Sequence, residues 1–208
     1  MADYTMIAAV TQALQALVQD AVRSVPGATV RTARPDRLLA HEQTSGTVNI
    51  FLYQIVPNAQ WRNSDLPTRS AEGILVQRPR VALDLYYLIS FYGEDRDQVP
   101  QILAGITASA LHIQPALTAQ PFSGNGAPPS PPADSPESAE LVMFYPVTLN
   151  LEELSKIWLI FQAPYALSIA YRASVVFIDA DLDPITIPLV QRSSLVVMPI
   201  GAQKAGVP

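Results

Sequence analysis

Residues 79–92 read PRVALDLYYLISFY. Val81, Leu83, Leu85, Tyr87, Ile89 and Phe91 alternate with Ala82, Asp84, Tyr86, Leu88, Ser90 and Tyr92. An alternation of period two specifies a β-strand. The first set is wholly apolar and the second is mixed, so the strand needs cover on both faces. It therefore belongs inside a sheet with material packed on each side, and this requirement decides the fold. Asp84 interrupts the mixed face and must find a hydrogen-bond partner or an arginine there. With no second acid or base beside it in sequence, it reads as a structural carboxylate.

The preceding strand, 47–56 (TVNIFLYQIV), repeats the pattern. Val48, Ile50 and Leu52 point one way, and Phe51, Tyr53 and Ile55 the other. Pro57-Asn58 closes it, and a long loop over 57–78 carries Trp61, Arg62 and Asn63. Loops of about 15 residues or more without structure of their own are uncommon unless functional. Asn58, Trp61, Arg62 and Asn63 are therefore candidate partner-binding residues. Ile7, Val10, Leu14, Leu17 and Val18 form an apolar stripe, predicting an amphipathic helix over 5–23 that ends at Pro26-Gly27. Its other face is rich in threonine and glutamine (Thr11, Gln12, Gln15, Gln19), which suits a plain core-facing helix or one that also touches a second subunit. A short strand is predicted at 28–33.

A second helix is predicted over 97–112, with Asp97 as N-cap and Pro100 tolerated in the first turn. A strand follows at 141–149, where Pro146 indicates an edge position or a bulge because proline donates no ladder hydrogen bond. Asn150 and Glu153 form a capping-box pair. They start a helix that runs through Phe161, with Leu151, Leu154, Ile157, Trp158 and Phe161 on its apolar side. Pro164 separates it from a long strand over 165–180.

Two stretches differ from the rest. Seven of the 19 prolines fall between Pro115 and Pro136, so 113–140 reads as a flexible proline-rich insertion. The tail, 184–208, holds the apolar runs ITIPLV (185–190) and SLVVMPI (194–200), broken by Pro188 and Pro199. Such runs must be covered. They either wrap their own domain or add a strand to a neighbouring subunit. Ile185, Ile187, Leu189, Val190, Leu195, Val196 and Val197 are the tail's partner-binding candidates. Together these readings predict one α+β domain over 1–183, a mixed and mostly antiparallel sheet packed by about three helices, followed by an extended tail.

Composition narrows the function. With no cysteine there is no disulfide framework or thiolate metal site. His41 and His112 have no ligand spacing. Asp179, Asp181 and Asp183 alternate at a strand end, where a hard cation could bind, but the solvated reading is preferred. A net charge of −5 argues against nucleic acid as a partner. No phosphate-binding glycine loop, nucleophile elbow or metalloprotease motif occurs. No enzyme and no cofactor are expected. The N-terminus has no basic region and no segment reaches the ~20 apolar residues of a membrane span, so synthesis in the cytoplasm without membrane insertion is expected. Charged residues make up only 15% of the chain, against ~25% in an average soluble protein. Of the 13 basic residues two are lysines, Lys156 and Lys204, leaving eleven arginines. Interfaces favour arginine over lysine, and so does a GC-rich genome; composition does not separate these causes.

Four stretches together resemble one family. They are the opening helix near Met6-Ile7; residues 51–58 (FLYQIVPN) with Arg62-Asn63; residues 78–89 (RPRVALDLYYLI); and residues 151–158 (LEELSKIW) followed by 165–171 (YALSIAY). The combination is similar to the N-terminal domain of tail terminator, or cap, proteins of phage tail-like contractile injection systems. That family includes the caps of the Photorhabdus virulence cassette and the antifeeding prophage. Ala166 departs from the pattern, which often has arginine after the tyrosine. The resemblance implies a structural, non-enzymatic homo-oligomer. Six copies would form a ring that closes the distal end of the inner tube and anchors the last sheath layer. Its partners would be tube and sheath proteins, in a particle that is released or membrane-anchored. The rival readings are another particle component, such as a sheath or tube adaptor or an assembly chaperone, and a small-ligand-binding domain using Asp84 and the 57–78 loop.

Overall fold

The computed structural model describes residues 5–38, 46–61, 80–93, 98–119 and 140–179. Six strands form one sheet, β1 (Thr29–Arg31), β2 (Thr47–Pro57), β3 (Arg80–Tyr92), β4 (Ala116–Ala119), β5 (Glu140–Val147) and β6 (Leu167–Asp179). The order across the sheet is β1-β2-β3-β6-β5-β4. Only the β1–β2 pair is parallel, so the sheet is mixed and mostly antiparallel. The helices among the described residues are α1 (Met6–Ala21), α2 (Val99–Ile113) and α3 (Leu151–Phe161). The architecture is the predicted α+β fold.

β3 lies between β2 and β6 and is covered on both faces, as its alternation requires. Leu85, Tyr87, Ile89 and Phe91 join the main core with Val10, Leu14 and Val18 of α1 and Leu103 and Leu111 of α2. Leu88, on the opposite face, joins Trp158 and Phe161 of α3, with Phe51, Tyr53 and Tyr92 packed around them. Thus α1 and α2 cover one face of the sheet and α3 the other. The two-faced apolar pattern of β2 has the same cause, because Val48 and Ile50 enter the first core while Phe51 packs edge-to-face on Phe161.

The polar face of α1 is used inside the domain. Gln19 Oε1 accepts from Val30 N at 3.0 Å and Gln15 Nε2 donates to Val30 O at 3.4 Å. These side chains occupy the outer edge of β1 where a further strand would bind. Thr11 Oγ1 lies 2.9 Å from Tyr87 OH, so a buried hydroxyl is paired.

Two expectations are corrected, and a third is made more precise. The N-cap of α2 is Gln98 in a left-handed conformation with no side-chain cap bond, instead of Asp97, which lies outside the described residues. The proline-rich stretch 113–140 is not wholly a loop. Ile113 ends α2, β4 occupies Ala116–Ala119, and Glu140 opens β5. Four residues suffice because Leu117 and Ala119 alternate inward into the core. β5 is an interior strand, yet Pro146 is locally at an edge. β4 pairs with β5 only up to Met143, and Phe144 N donates to Pro115 O. Two residues further on, Pro146 faces the same side, where no strand lies among the described residues, so its missing N–H costs no ladder bond there. The capping box forms as predicted, with Glu153 N donating to Asn150 Oδ1 at 2.8 Å and Asn150 N donating to Glu153 Oε2 at 2.9 Å.

Burial pushes the Tyr87 phenol up to about 12, opposed only by its Thr11 hydrogen bond. Tyr53, Tyr92 and Tyr171 are raised by burial in the same sense. Unfolding returns each phenol to its ordinary value near 10, so above that pH the unfolded chain loses protons that the folded chain keeps. Stability is therefore full below pH ~10 and falls as pH rises toward 12. Urea titrations at pH 8, 10 and 11 should show the midpoint falling steeply over the last interval, and Tyr87→Phe should flatten that fall.

Candidate interaction site

Two surfaces bear on the candidate residues. The first is built at the Pro57 end of β2, where two irregularities meet. The β2–β3 register shifts between Leu52 and Gln54, and the β3–β6 register shifts between Leu83 and Leu85. In the second shift β6 advances from Val176 to Ala173 while β3 advances from Leu83 to Leu85, so β6 carries an extra residue. A bulge of this kind re-aims a side chain. Here Ser174 Oγ donates to Asp84 Oδ1 at 2.6 Å.

Asn58 completes the node. Its backbone N donates to Ala82 O at 2.9 Å, and its Nδ2 donates to Asp84 Oδ1 at 2.9 Å and to Ser174 Oγ at 3.4 Å. Its Oδ1 accepts from Gln60 N at 3.0 Å and Trp61 N at 3.1 Å. Asp84 is buried, and Arg172 Nη1 stands 3.9 Å from its Oδ2. The predicted partners of the Asp84 carboxylate, a hydrogen-bonding group and an arginine, are therefore both present.

Asn58 is itself buried, and its side chain turns inward. Its bearing on the surface is to hold the turn that sets Trp61 edge-to-face on Phe177, with ring centroids 5.4 Å apart. Trp61 remains half exposed. Arg62, Asn63 and the tail candidates Ile185, Ile187, Leu189, Val190, Leu195, Val196 and Val197 lie outside the described residues, as do Asp181 and Asp183. The described residues hold no cluster of three or more metal-ligating side chains and no helix long and apolar enough to cross a membrane.

The second surface was only partly legible. Trp158 and Phe161 of α3 are buried, but Leu151 is 79% exposed and so leaves the predicted apolar side. It lines a shallow groove with Trp158, Leu159, Gln162 and Tyr165 on the outside of the helix. Leu159 is 77% exposed and Ile160 71%. No sequence reading singled out Leu159 or Ile160. Their signal was available, because apolar residues occur all round α3 from Leu151 to Phe161, which marks a helix with a second covered face.

Replacing Asn58 by alanine removes two donors and an acceptor from a buried carboxylate node. We expect a loss of about 2 kcal/mol by urea unfolding, the range for hydrogen bonds to charged groups. A red shift in the Trp61 share of the fluorescence should accompany it, identified by comparison with Trp61→Phe. A stability within 0.5 kcal/mol of the parent, about what an ordinary surface change gives, would contradict this account.

A comparison with curated proteins found no match. Among solved structures, the tube-terminating cap of the anti-feeding prophage is similar with a TM-score of 0.60 at 19% identity, over 90% of this chain and 60% of that one. The sheath/tube terminator of the extracellular contractile injection system PVC, in its extended state, is similar with a TM-score of 0.58 at 19% identity, over 92% of this chain and 63% of that one. The chain thus spans about three fifths of the length of both. Residues 9–192 match the family described as the Pvc16 N-terminal domain, and the chain belongs to that family.

Proposed function

We propose that this protein is a structural, non-enzymatic cap subunit of a contractile injection particle. Six copies form a ring that ends the inner tube and anchors the last layer of sheath. The observation that carries this reading is the uncovered apolar face of α3 on a domain with the fold of two tube and sheath terminators. A lone exposed leucine needs no explanation, but a contiguous patch marks an interface. Leu151, Leu159 and Tyr165 line such a patch along the groove of α3, with Ile160 exposed beside Leu159 and the Glu152–Lys156 pair supplying charge on the same helix.

A closed ring uses two different surfaces per subunit, each meeting the other on a neighbour. The α3 patch supplies the apolar centre of one of them. A stable interface buries about 800 Å² per partner, so polar surroundings complete the contact. Arg62 and Asn63, in the loop after Trp61, and the distal tail residues Leu195, Val196 and Val197 are assigned to contacts with tube, sheath or neighbouring cap. On this reading the chain is made in the cytoplasm and ends in the particle.

Multi-angle light scattering of the purified chain should give six times its 22.6 kDa mass. The double change Leu159→Lys and Ile160→Lys should yield monomers with unchanged circular dichroism and melting temperature. A monomeric parent, or an undisturbed hexamer in the variant, would count against the ring as described. Particles made without the protein should show tubes of irregular length or detached sheaths by negative-stain microscopy. Labelling at the baseplate end would point to an adaptor instead of a cap.

A further inference from the structure

Parts of the sheet's edge are closed by specific devices, and the outer edge of β2 beyond β1 is left without a strand among the described residues. The outer edge of β1 is occupied by Gln15 and Gln19. Where β1 ends, Asn49 takes over its role. Asn49 Oδ1 accepts from Ala33 N at 3.1 Å and Asn49 Nδ2 donates to Ala33 O at 3.0 Å, as a further strand would. On the other side β5 runs past β4 but carries Pro146, which offers no donor. β2 differs. β1 pairs with it only at Thr47, Val48 and Asn49, so from Leu52 to Pro57 its outer edge has no strand beside it among the described residues. Ile55 on this stretch is 46% exposed. The bulge at Leu52/Gln54 and Pro57 at the strand's end leave the backbone around Ile55 open between them, and an open edge is a template for another strand.

We infer that this edge is the docking site of the chain's own first tail segment, residues 185–190, which adds an antiparallel strand along Leu52–Pro57. The topology brings it there. β6 is antiparallel to β3, and β3 to β2, so β6 and β2 run the same way and end at the same end of the sheet. Asp179 is level with Arg80, and Pro57 with Leu83, so the two ends are offset by three residues, about 10 Å. From β6 to a new strand outside β2 is three strand spacings, about 14 Å. The diagonal is about 17 Å. Ile185 lies six residues past Asp179, a reach of about 20 Å. A chain that turns back there runs antiparallel to β2, and ITIPLV supplies six residues for six.

The proline positions agree with an edge role. Pro184 precedes the segment. If Ile185, Ile187 and Leu189 direct their N–H groups to β2, then Thr186, Pro188 and Val190 face outward, where proline loses nothing. The family match extends to residue 192, so it includes this first segment and excludes the whole of the second, at 194–200. The tail is thereby divided. Its first run completes the domain, and only its second remains for a partner. This inference holds whether or not the ring reading does.

The absence of cysteine makes the test direct. Ile55→Cys is combined in turn with Ile185→Cys, Ile187→Cys and Leu189→Cys in the full chain, and the disulfide is formed by mild oxidation. A bridge needs Cα atoms within about 7 Å. At least one pair should give a faster-migrating monomer on a non-reducing gel. A control pairing Ile187→Cys with Leu167→Cys, at the far end of β6, should give none. A crosslink between chains would overturn the proposal by assigning the edge to a second copy, and no crosslink in any pair would overturn it outright. Hydrogen exchange supplies an independent readout. Truncation after residue 183 should accelerate exchange along 52–57 at least tenfold while truncation after 192 leaves it unchanged; equal protection in both would also overturn it.

Discussion

A strand that is apolar on both faces cannot be satisfied by a single helical layer, and β3 imposes this condition on the whole molecule. Burial of its large side chains is worth about 1.5–3 kcal/mol each, so neither face can be left to water. One face recruits α1 and α2, whose apolar stripes Val10, Leu14, Val18 and Leu103, Leu111 meet Leu85, Tyr87, Ile89 and Phe91. The other face is smaller. It needs only α3, which brings Trp158 and Phe161 over Leu88. A short helix that covers a small patch keeps much of its circumference free. When that free side is also apolar, as at Leu159 and Ile160, the domain is built to be covered again from outside.

The elements were legible because local signals agreed with the global demand. Period-two runs marked β2, β3 and β6 to within a few residues, and the Asn150–Glu153 pair fixed the start of α3. What failed has a physical reason in each case. β4 is four residues long, too short for periodicity to stand out against neighbouring prolines. Pro146 was read as marking an edge position or a bulge, and the edge it marks is local, the stretch of β5 beyond β4. Leu151 was assigned inward because it shares a stripe with Trp158 at seven-residue spacing, but it is exposed at the first turn of α3.

The candidate site was harder to read because bulges break the alternation that sequence reasoning extrapolates. Past the shift at Leu52/Gln54 the faces of β2 are reset, and past that at Leu83/Leu85 so are those of β6, which carries the extra residue. Ser174, next to Ala173 at this irregularity, reaches Asp84 there. The need for a partner to Asp84 was visible, but the identity of Asn58 and Ser174 as partners was not. Asn58 was singled out for its place in a loop. Its donors and acceptor instead tie that loop to the sheet, so that Trp61 comes to rest on Phe177.

The low charge of the chain takes a different meaning from these details. The polar residues that would ordinarily solvate a surface are turned to internal tasks. Gln15 and Gln19 hold an edge, Asn49 imitates a strand, Thr11 pairs a buried tyrosine, and Asn58 anchors a turn. Each uses an uncharged group that pairs fully with the backbone or with a neighbour, which avoids the desolvation cost of a buried charge. Genomic bias would account for arginine in place of lysine, but it does not explain why neutral side chains guard the edges or why Leu159 and Ile160 stand exposed on α3. A domain that turns its polar groups to finishing its own sheet, while leaving apolar side chains of α3 exposed, has its internal bonds satisfied and its outer contacts open.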